Sequence, residues 1–140
     1  MSSRAEQLIA SLALAPHPEG GWYRQVYKST ERVTRERDGA VRSALTTIDF
    51  LLVEGTFSAW HRVQSDEAWH FYEGDPLELL TRDSETGPPT ITILDATHRV
   101  HVVPARQWQA ARHRGAYTLV GCTVGPGFEF EDFEMSDGTV

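Results

Sequence analysis

The spacing of one histidine, one glutamate and two glycines constrains this chain more than any other feature of its sequence. Five residues separate Gly55 from His61, five separate His61 from Glu67, and six separate Glu67 from Gly74. Glycine favours turns, whereas aromatic and β-branched residues favour strands, so the segment predicts a hairpin of two short strands. We expect the hairpin to turn His61 and Glu67 toward the same concave face.

Side chains alternate between the two faces of a strand, which predicts the surroundings of His61. In the strand predicted at 56–63, Val63 shares the face of His61, and Ser58 lies on the opposite face. A face that carries a few polar groups among apolar side chains is typical of a small-ligand pocket.

The second predicted strand, 67–73, places Trp69 and Phe71 on the face of Glu67. We expect these two aromatic side chains to form the apolar wall of the pocket. Alternation puts His70 on the opposite face, so that only a β-bulge would turn it inward.

The rest of the chain predicts one short helix followed by many strands. Apolar residues recur at helical spacing over residues 4–14, and Pro16 and Pro18 end this amphipathic helix. Further strands are predicted at 22–29, 43–53, 77–82, 90–95, 98–103, 117–124 and 128–134. Residues 106–112 are expected to form a helical turn or a loop. Many short strands in a chain of 140 residues indicate a single all-β domain over residues 1–140, either a sandwich or a barrel.

A net charge of −7 argues against nucleic acids and anionic membranes as partners, since both attract basic patches. Arg32, Arg35 and Arg37 alternate with acidic residues, and we expect a solvated loop there. Acidic residues alternate with phenylalanines over 128–134, which predicts an edge strand with a solvated face. The chain lacks an apolar run of membrane-spanning length and has a single cysteine, Cys122, so a cytoplasmic protein without an internal disulfide is expected.

The 55–74 segment resembles the first motif of the cupin superfamily, in which Gly, His-x-His, Glu and Gly stand at these intervals. Val63 takes the place of the second His. The second cupin motif, Pro-x-Gly-x-x-His, is similar to residues 104–109, where Gln109 takes the place of the His. Four segments in matching order resemble the fifth small cupin family: PHPEGGWYR at 16–24, WHRV at 60–63, DEAWHFY at 66–72 and LVGCTVGPGFEF at 119–130.

This resemblance implies an all-β, double-stranded β-helix (a cupin or jelly-roll barrel) with a short N-terminal helix. Members of the family commonly pair as homodimers, and their function is largely uncharacterised. The barrel is also similar to those of sugar-nucleotide epimerases and seed storage proteins.

Cupin metal sites usually combine three His and one Glu, and the resemblance carries two of these positions over to His61 and Glu67. Val63 cannot donate a lone pair, and the amide oxygen of Gln109 is a poor ligand for zinc or iron. His70 is the candidate third ligand, which a bulge would have to turn inward. The sequence leaves the cofactor open between none and a divalent metal.

Without a metal, His61 and Glu67 form a workable acid–base pair, because burial can tune both pKa values. His61 would be the general base, and Glu67 or Tyr23 its acid partner. The alternative is a hydrogen-bonded pair that only ties the hairpin together. Arg24 could clamp an anionic group of a substrate, or it could simply pair with Glu19. The candidate ligand-binding residues are Glu19, Arg24, Trp69, His70, Phe71 and Gln109.

These residues favour an enzyme that acts on a small polar molecule, such as a metal-independent sugar epimerase or isomerase. Such an enzyme needs two proton-transfer groups that face one cavity. Three alternatives stay open: a non-catalytic module that binds a small ligand, a metal-dependent cupin enzyme such as a dioxygenase, and a structural or storage protein.

Overall fold

Thirteen strands and one helix make up residues 3–136, the part of the chain that a computed structural model describes. The helix is α1 (Arg4–Ser11). The strands are β1 (Ala15–Pro16), β2 (Trp22–Lys28), β3 (Arg32–Thr34), β4 (Val41–Ser43), β5 (Thr46–Val53), β6 (Phe57–Arg62), β7 (Asp66–Gly74), β8 (Leu77–Arg82), β9 (Thr90–Leu94), β10 (Val100–Val103), β11 (Trp108–His113), β12 (Tyr117–Gly125) and β13 (Glu134–Met135).

Two antiparallel sheets enclose the core. The larger sheet has the order β1-β2-β5-β12-β7-β10, and the smaller has the order β13-β6-β11-β8-β9, while β3 and β4 form a separate hairpin. Apolar side chains from both sheets meet between them: Phe50, Leu52, Trp69, Phe71, Leu77, Leu79, Leu94, Val103, Ala111, Val120 and Cys122. The predicted all-β fold is confirmed.

Helix α1 lies on the outer face of the larger sheet, where Leu8 packs with Leu51 and Leu119. The side chain of Ser3 caps its first turn by accepting a hydrogen bond from the backbone of Glu6. The helix ends at Ser11, earlier than predicted, because a left-handed residue at position 13 turns the chain into β1 before the prolines are reached. Within residues 3–136, no helix is long and apolar enough to cross a membrane.

Two segments differ from their predicted structure. Residues 106–112 contribute most of β11, which lies between β6 and β8, so the expected helical turn or loop there is wrong. Residues 128–134 do not form one edge strand; a 3-10 turn at Phe130–Asp132 precedes the short β13. The turn lets Phe128, Phe130 and Phe133 contact one another, which strict strand alternation would prevent.

The arginine cluster is also more structured than a solvated loop. Arg35 follows β3 and is only 5% exposed. Its guanidinium donates to Asp38 and Asp132, and that of Arg42, on β4, donates to both carboxylate oxygens of Asp132. The β3–β4 hairpin is thereby fastened to the C-terminal segment, because Asp132 lies in the 3-10 turn.

Among the strands of residues 3–136, three contain a bulge, that is, one more residue than the stretch of the neighbouring strand that lies opposite. The extra residue is Val26 in β2, opposite β5, and Tyr72 in β7, opposite β12. In β6, residues 58 to 61 lie opposite residues 109 to 111 of β11. Each of these bulges reverses the face to which the following side chains point.

Candidate functional site

A cavity of about 210 Å³ opens between the two sheets beside the C-terminal segment. That volume corresponds to about seven water molecules at ~30 Å³ each, so the cavity suits a small molecule rather than a polymer. Its wall includes four ionisable side chains, His17, Glu19, His61 and Glu67, of which sequence spacing predicts only His61 and Glu67 to face one pocket.

The turn between β1 and β2 supplies the first two of these groups. The backbone N–H of Gly20 donates to the carbonyl of His17, and the N–H of His17 donates to the carbonyl of Gly21. Gly20 has a φ of 111°, and any side chain on it would collide with the carbonyl of Phe57. The two glycines therefore form an ordered turn, which holds His17 and Glu19 against the cavity.

The bulge in β6 supplies the contacts of Glu19. Because of the bulge, Ser58 and His61 both face inward, so the predicted position of Ser58 on the opposite face is wrong. The hydroxyl of Ser58 donates to Oε2 of Glu19. Nδ1 of His61 lies 3.1 Å from the same oxygen.

The hydrogen bonds of His61 determine which ring nitrogen carries its proton. Nδ1 lies 2.7 Å from the carbonyl oxygen of Ala59, which can only accept. Nδ1 must therefore carry the proton, and Nε2 of the neutral ring carries the lone pair. Burial lowers the pKa of His61 below its ordinary value, although the charge of Glu67 opposes the shift. A neutral, proton-accepting imidazole at neutral pH follows.

His17 has the opposite tautomer. Its Nδ1 accepts the backbone N–H of Glu19 at 3.0 Å, so its proton must reside on Nε2, which lies 3.4 Å from Oε1 of Glu19. Burial lowers the pKa of His17 to about 4, and the nearby His61 adds to this effect. One carboxyl group thus lies between two neutral imidazoles, with the protonated ring nitrogens of His61 and His17 at 3.1 and 3.4 Å from its oxygens.

Burial also shifts the two carboxyl groups toward neutrality. It raises the pKa of Glu19 to about 8, partly offset by the hydrogen bond from Ser58. It raises the pKa of Glu67 to about 7, and the charge of His61 opposes this shift. Both glutamates can therefore take up or release a proton near neutral pH.

Glu67 is held by residues behind it. Oε1 of Glu67 accepts a hydrogen bond from Nε2 of Gln109 at 2.9 Å, and Oε1 of Gln109 accepts one from Nε1 of Trp69 at 2.7 Å. The buried thiol of Cys122 also hydrogen-bonds to Glu67, and burial raises the pKa of this thiol. Gln109 and Trp69 thus orient Glu67 and do not themselves line the cavity.

Several predicted ligand-binding residues lie away from the cavity. Trp69 and Phe71 do share the inward face of Glu67, but they are buried in the main core and do not form the cavity wall. His70 pairs with Gly121 on the outward face of β7. The bulge of β7 lies at Tyr72, beyond His70, and therefore cannot turn this imidazole inward.

The first long strand also distributes its side chains differently from the prediction. Tyr23 lines the cavity, and its ring centroid lies 4.4 Å from that of His17. Arg24 lies on the opposite face, paired in register with Asp49, and so does not reach the cavity. Lys28, the one lysine in the chain, lines the cavity instead, although it was not among the predicted site residues.

The C-terminal segment closes one side of the cavity. Phe128, Phe130 and Phe133 all line it, and the ring of Phe133 stacks on that of His61 with centroids 5.4 Å apart. These phenylalanines were expected in an edge strand. The contacts of Asp132 with two arginines are the reason for the difference, because they hold the 3-10 turn that carries the rings.

The donor set does not fit a cupin metal centre. Val63 lines the cavity where the first cupin motif has its second His. The amide of Gln109, where the second motif has its His, already hydrogen-bonds to Glu67 and Trp69. Across residues 3–136, no group of three or more His, Cys, Asp and Glu side chains could hold a metal ion. The predicted ligand set of His61, Glu67 and His70 is therefore not assembled.

Comparisons with known proteins agree with this architecture. A search of curated proteins found no match. A solved structure of a hypothetical protein from Leishmania major shares 33% sequence identity and a TM-score of 0.87, over 96% of this chain and 88% of that one. A protein from Shewanella oneidensis shares 33% identity and a TM-score of 0.83, over 96% and 85%.

A more distant similarity shows the fold alone. An uncharacterised Klebsiella pneumoniae protein with a double-stranded β-helix domain shares 13% identity and a TM-score of 0.63, over 98% of this chain and 100% of that one. The predicted double-stranded β-helix is confirmed. The family model described as "Cupin superfamily (DUF985)" matches residues 6–136. Because that match spans nearly all of the chain, the chain belongs to this cupin family.

Proposed function

We propose that this cupin is a metal-independent acid–base enzyme that moves a proton within a small polar molecule, as a sugar epimerase or isomerase does. The observation that carries the proposal is the contact of Nδ1 of His61 with Glu19 on the wall of a cavity that also contains Glu67. A fold of this kind serves many activities, so the proposal depends on the site and not on the barrel.

The roles follow from the hydrogen bonds. His61 acts as the base through Nε2, because its Nδ1 proton is fixed by Ala59 and Glu19. Glu67, whose pKa is raised to about 7, supplies or receives the second proton. Tyr23 is the alternative acid partner, since it lines the same cavity beside His17.

Glu19 takes a positioning role in this proposal. It was expected among the ligand-binding residues, but its carboxyl group faces Ser58, His17 and His61. A carboxyl group in contact with the nitrogen opposite the reactive one orients an imidazole. Ser58 and His17 hold this carboxyl group in place.

Proton exchange with solvent provides the test. We would incubate the protein in D2O with aldoses, ketoses and 2-oxo acids and follow deuterium incorporation beside the carbonyl group by NMR. His61→Asn should slow exchange by about 10²–10⁴-fold, the usual contribution of a general base. His70→Asn, on the outward face of β7, is the matched control and should leave exchange unchanged.

Two outcomes would contradict the proposal. Exchange that survives His61→Asn would remove His61 as the base. Binding of these compounds in the cavity without any exchange would favour the alternative of a non-catalytic ligand-binding module. Pairing of the chain as a homodimer stays a prediction, which sedimentation of the purified protein would check.

A further inference from the structure

The bulge at Val26 determines which cation faces the cavity. Before the bulge, Tyr23 and Gln25 pair with the inward-facing Phe50 and Ile48 of β5. Without the extra residue, alternation would turn Lys28 outward. With it, Lys28 pairs with Thr46, and both line the cavity.

Lys28 has a weak partner at the rim of the cavity. Its Nζ lies 2.8 Å from Oε1 of Glu129, and the two side chains are 45% and 37% exposed. An ion pair this exposed contributes little to stability, so a ligand can replace Glu129 at little cost. Lys28 extends from a strand, whereas Glu129 lies between β12 and the 3-10 turn, so Glu129 is the partner that can swing away.

Lys28 is also the one permanent positive charge on the described cavity wall. The other basic residues of that wall are the neutral His17 and His61. Gln25, on the same face of β2, adds an amide donor nearby. A lysine ammonium binds carboxylate or phosphate as a compact point charge with three donors.

We propose that Lys28 and Gln25 form an anion-binding subsite at the rim of the cavity, which binds the terminal carboxylate or phosphate of a small substrate in exchange for Glu129. The inference rests on the proposed function, because it names the substrate class of the same site. The anionic end stays at the rim, away from Glu67, while the reacting carbon lies near His61. The subsite thus provides the anion clamp that Arg24 does not.

Three probes with one carbon skeleton test this subsite: ribose, ribose 5-phosphate and ribonate. Ribose is uncharged, ribose 5-phosphate carries a phosphate and ribonate carries a carboxylate. Comparing the three therefore shows which of the two anions the subsite prefers. Binding is followed by calorimetry and, since the chain has a single lysine, by NMR of Lys28 labelled with ¹³C-methyl groups. At least one charged probe should bind about tenfold or more tightly than ribose, a difference that one charge contact can supply.

Matched variants assign that preference to Lys28. Lys28→Met keeps the aliphatic stem and should abolish the preference, whereas Lys28→Arg should retain it. Glu129→Gln removes the competing carboxylate and should strengthen anion binding about two- to fivefold, as expected for a weak exposed ion pair. Arg24→Met, on the outward face of the same strand, should keep the preference.

The outcomes separate this subsite from the acid–base proposal. The subsite would be overturned if the three probes bind equally or if none of them binds. It would also be overturned if the anion preference survives Lys28→Met in a protein with an unchanged melting temperature. Anion preference without deuterium exchange would retain the subsite and overturn the enzymatic proposal. Exchange on an anionic substrate that Lys28→Met leaves unchanged would retain the enzymatic proposal and overturn the subsite.

Discussion

The Glu19 carboxyl group lies 3.1 Å from Nδ1 of His61, although one residue belongs to the turn before β2 and the other to β6. The same carboxyl group faces Nε2 of His17 at 3.4 Å. We therefore predict opposite tautomers, with the proton on Nδ1 in His61 and on Nε2 in His17. Two-bond ¹H–¹⁵N correlation spectra of the imidazoles near neutral pH check this directly. Finding His61 protonated on Nε2 would contradict the proposed direction of proton transfer.

Replacing Glu19 by glutamine should impair catalysis more than folding. Glu19→Gln keeps one accepting oxygen but replaces the other with an amide donor, which cannot accept from the imidazole N–H beside it and so shifts the His17–Glu19–His61 arrangement. We expect turnover in the exchange assay to fall by about 10²-fold, the size expected when a reacting group is misplaced by about 1 Å. The Nδ1 proton of His61 should persist, since Ala59 still accepts it. Glu36→Gln, at an exposed position, is the control; an equal loss there would indicate a general effect of charge.

Glu67 should make the folded state less stable as the pH rises. Its pKa is near 4.5 in the unfolded chain and is raised to about 7 by burial, so the folded state binds more protons within that window. The free energy of unfolding therefore falls as pH rises from about 4.5 to about 7. Glu67→Gln retains the Oε1 acceptor for Gln109 and should show a smaller fall.

Urea denaturation of both proteins between about pH 4.5 and 8 measures the effect. His17 works in the opposite direction, because its pKa is lowered to about 4, so its contribution to stability increases as pH rises toward about 6.5. His17 is present in both proteins, and its contribution cancels in the difference between them. Parallel curves for the two proteins would show that Glu67 is ionised throughout.

The sequence predicted the two strands and the inward direction of His61 and Glu67 well, because that information is local. The predicted pairing of these strands as a hairpin is wrong, because β6 and β7 belong to different sheets. His61 and Glu67 turn inward as alternation requires, and the turns lie at the expected glycines. The errors lie where the chain departs from alternation, since one extra residue at Val26 or between Ser58 and His61 reverses a face. Spacing alone does not reveal such a bulge. Two features of the sequence pointed to the cavity residues that were not predicted. They are the single lysine, Lys28, and the position of His17 two residues before Glu19.

Asp132 should stabilise the wall formed by the phenylalanines. Its side chain is 7% exposed and bonds to Arg35 and Arg42, which are 6% and 12% exposed. Asp132→Asn leaves two poorly solvated guanidinium groups short of a counter-charge, so we expect a loss of about 3 kcal/mol in the free energy of unfolding. Glu131→Gln is the matched control, because Glu131 is 72% exposed and its contact with Arg42 should contribute little.

Acid should weaken the same anchor. Hydrogen bonds from Arg42 and Arg35 lower the pKa of Asp132, although burial opposes the shift. The stabilisation is therefore fully present above the ordinary aspartate pKa of about 4 and is lost as the pH falls below it. The fluorescence of the protein on chemical denaturation at about pH 3 and 5 should show this loss in the native sequence and not in Asp132→Asn. Equal acid sensitivity of both proteins would assign the effect to other carboxylates.

Two substitutions should create a metal site, because Val63 and Gln109 occupy positions where cupins usually have histidine ligands. Val63 lines the cavity beside His61, and Gln109 pairs with His61 across β6 and β11. Together, Val63→His and Gln109→His would place three imidazoles around Glu67. Three or four such ligands are what zinc and cobalt sites in proteins require.

We expect the native protein, purified without chelators, to contain much less than one equivalent of manganese, iron, nickel or zinc. The double variant should bind one equivalent of Co²⁺ and show the visible absorption of a coordinated ion, whereas Gln109→His alone should bind more weakly. Unfolding by urea serves as the control, since loss of the Gln109 contact to Trp69 will cost some stability. A stoichiometric metal in the native protein that survives dialysis would contradict the metal-independent mechanism, because a metal on Nε2 of His61 would occupy the lone pair assigned to the base.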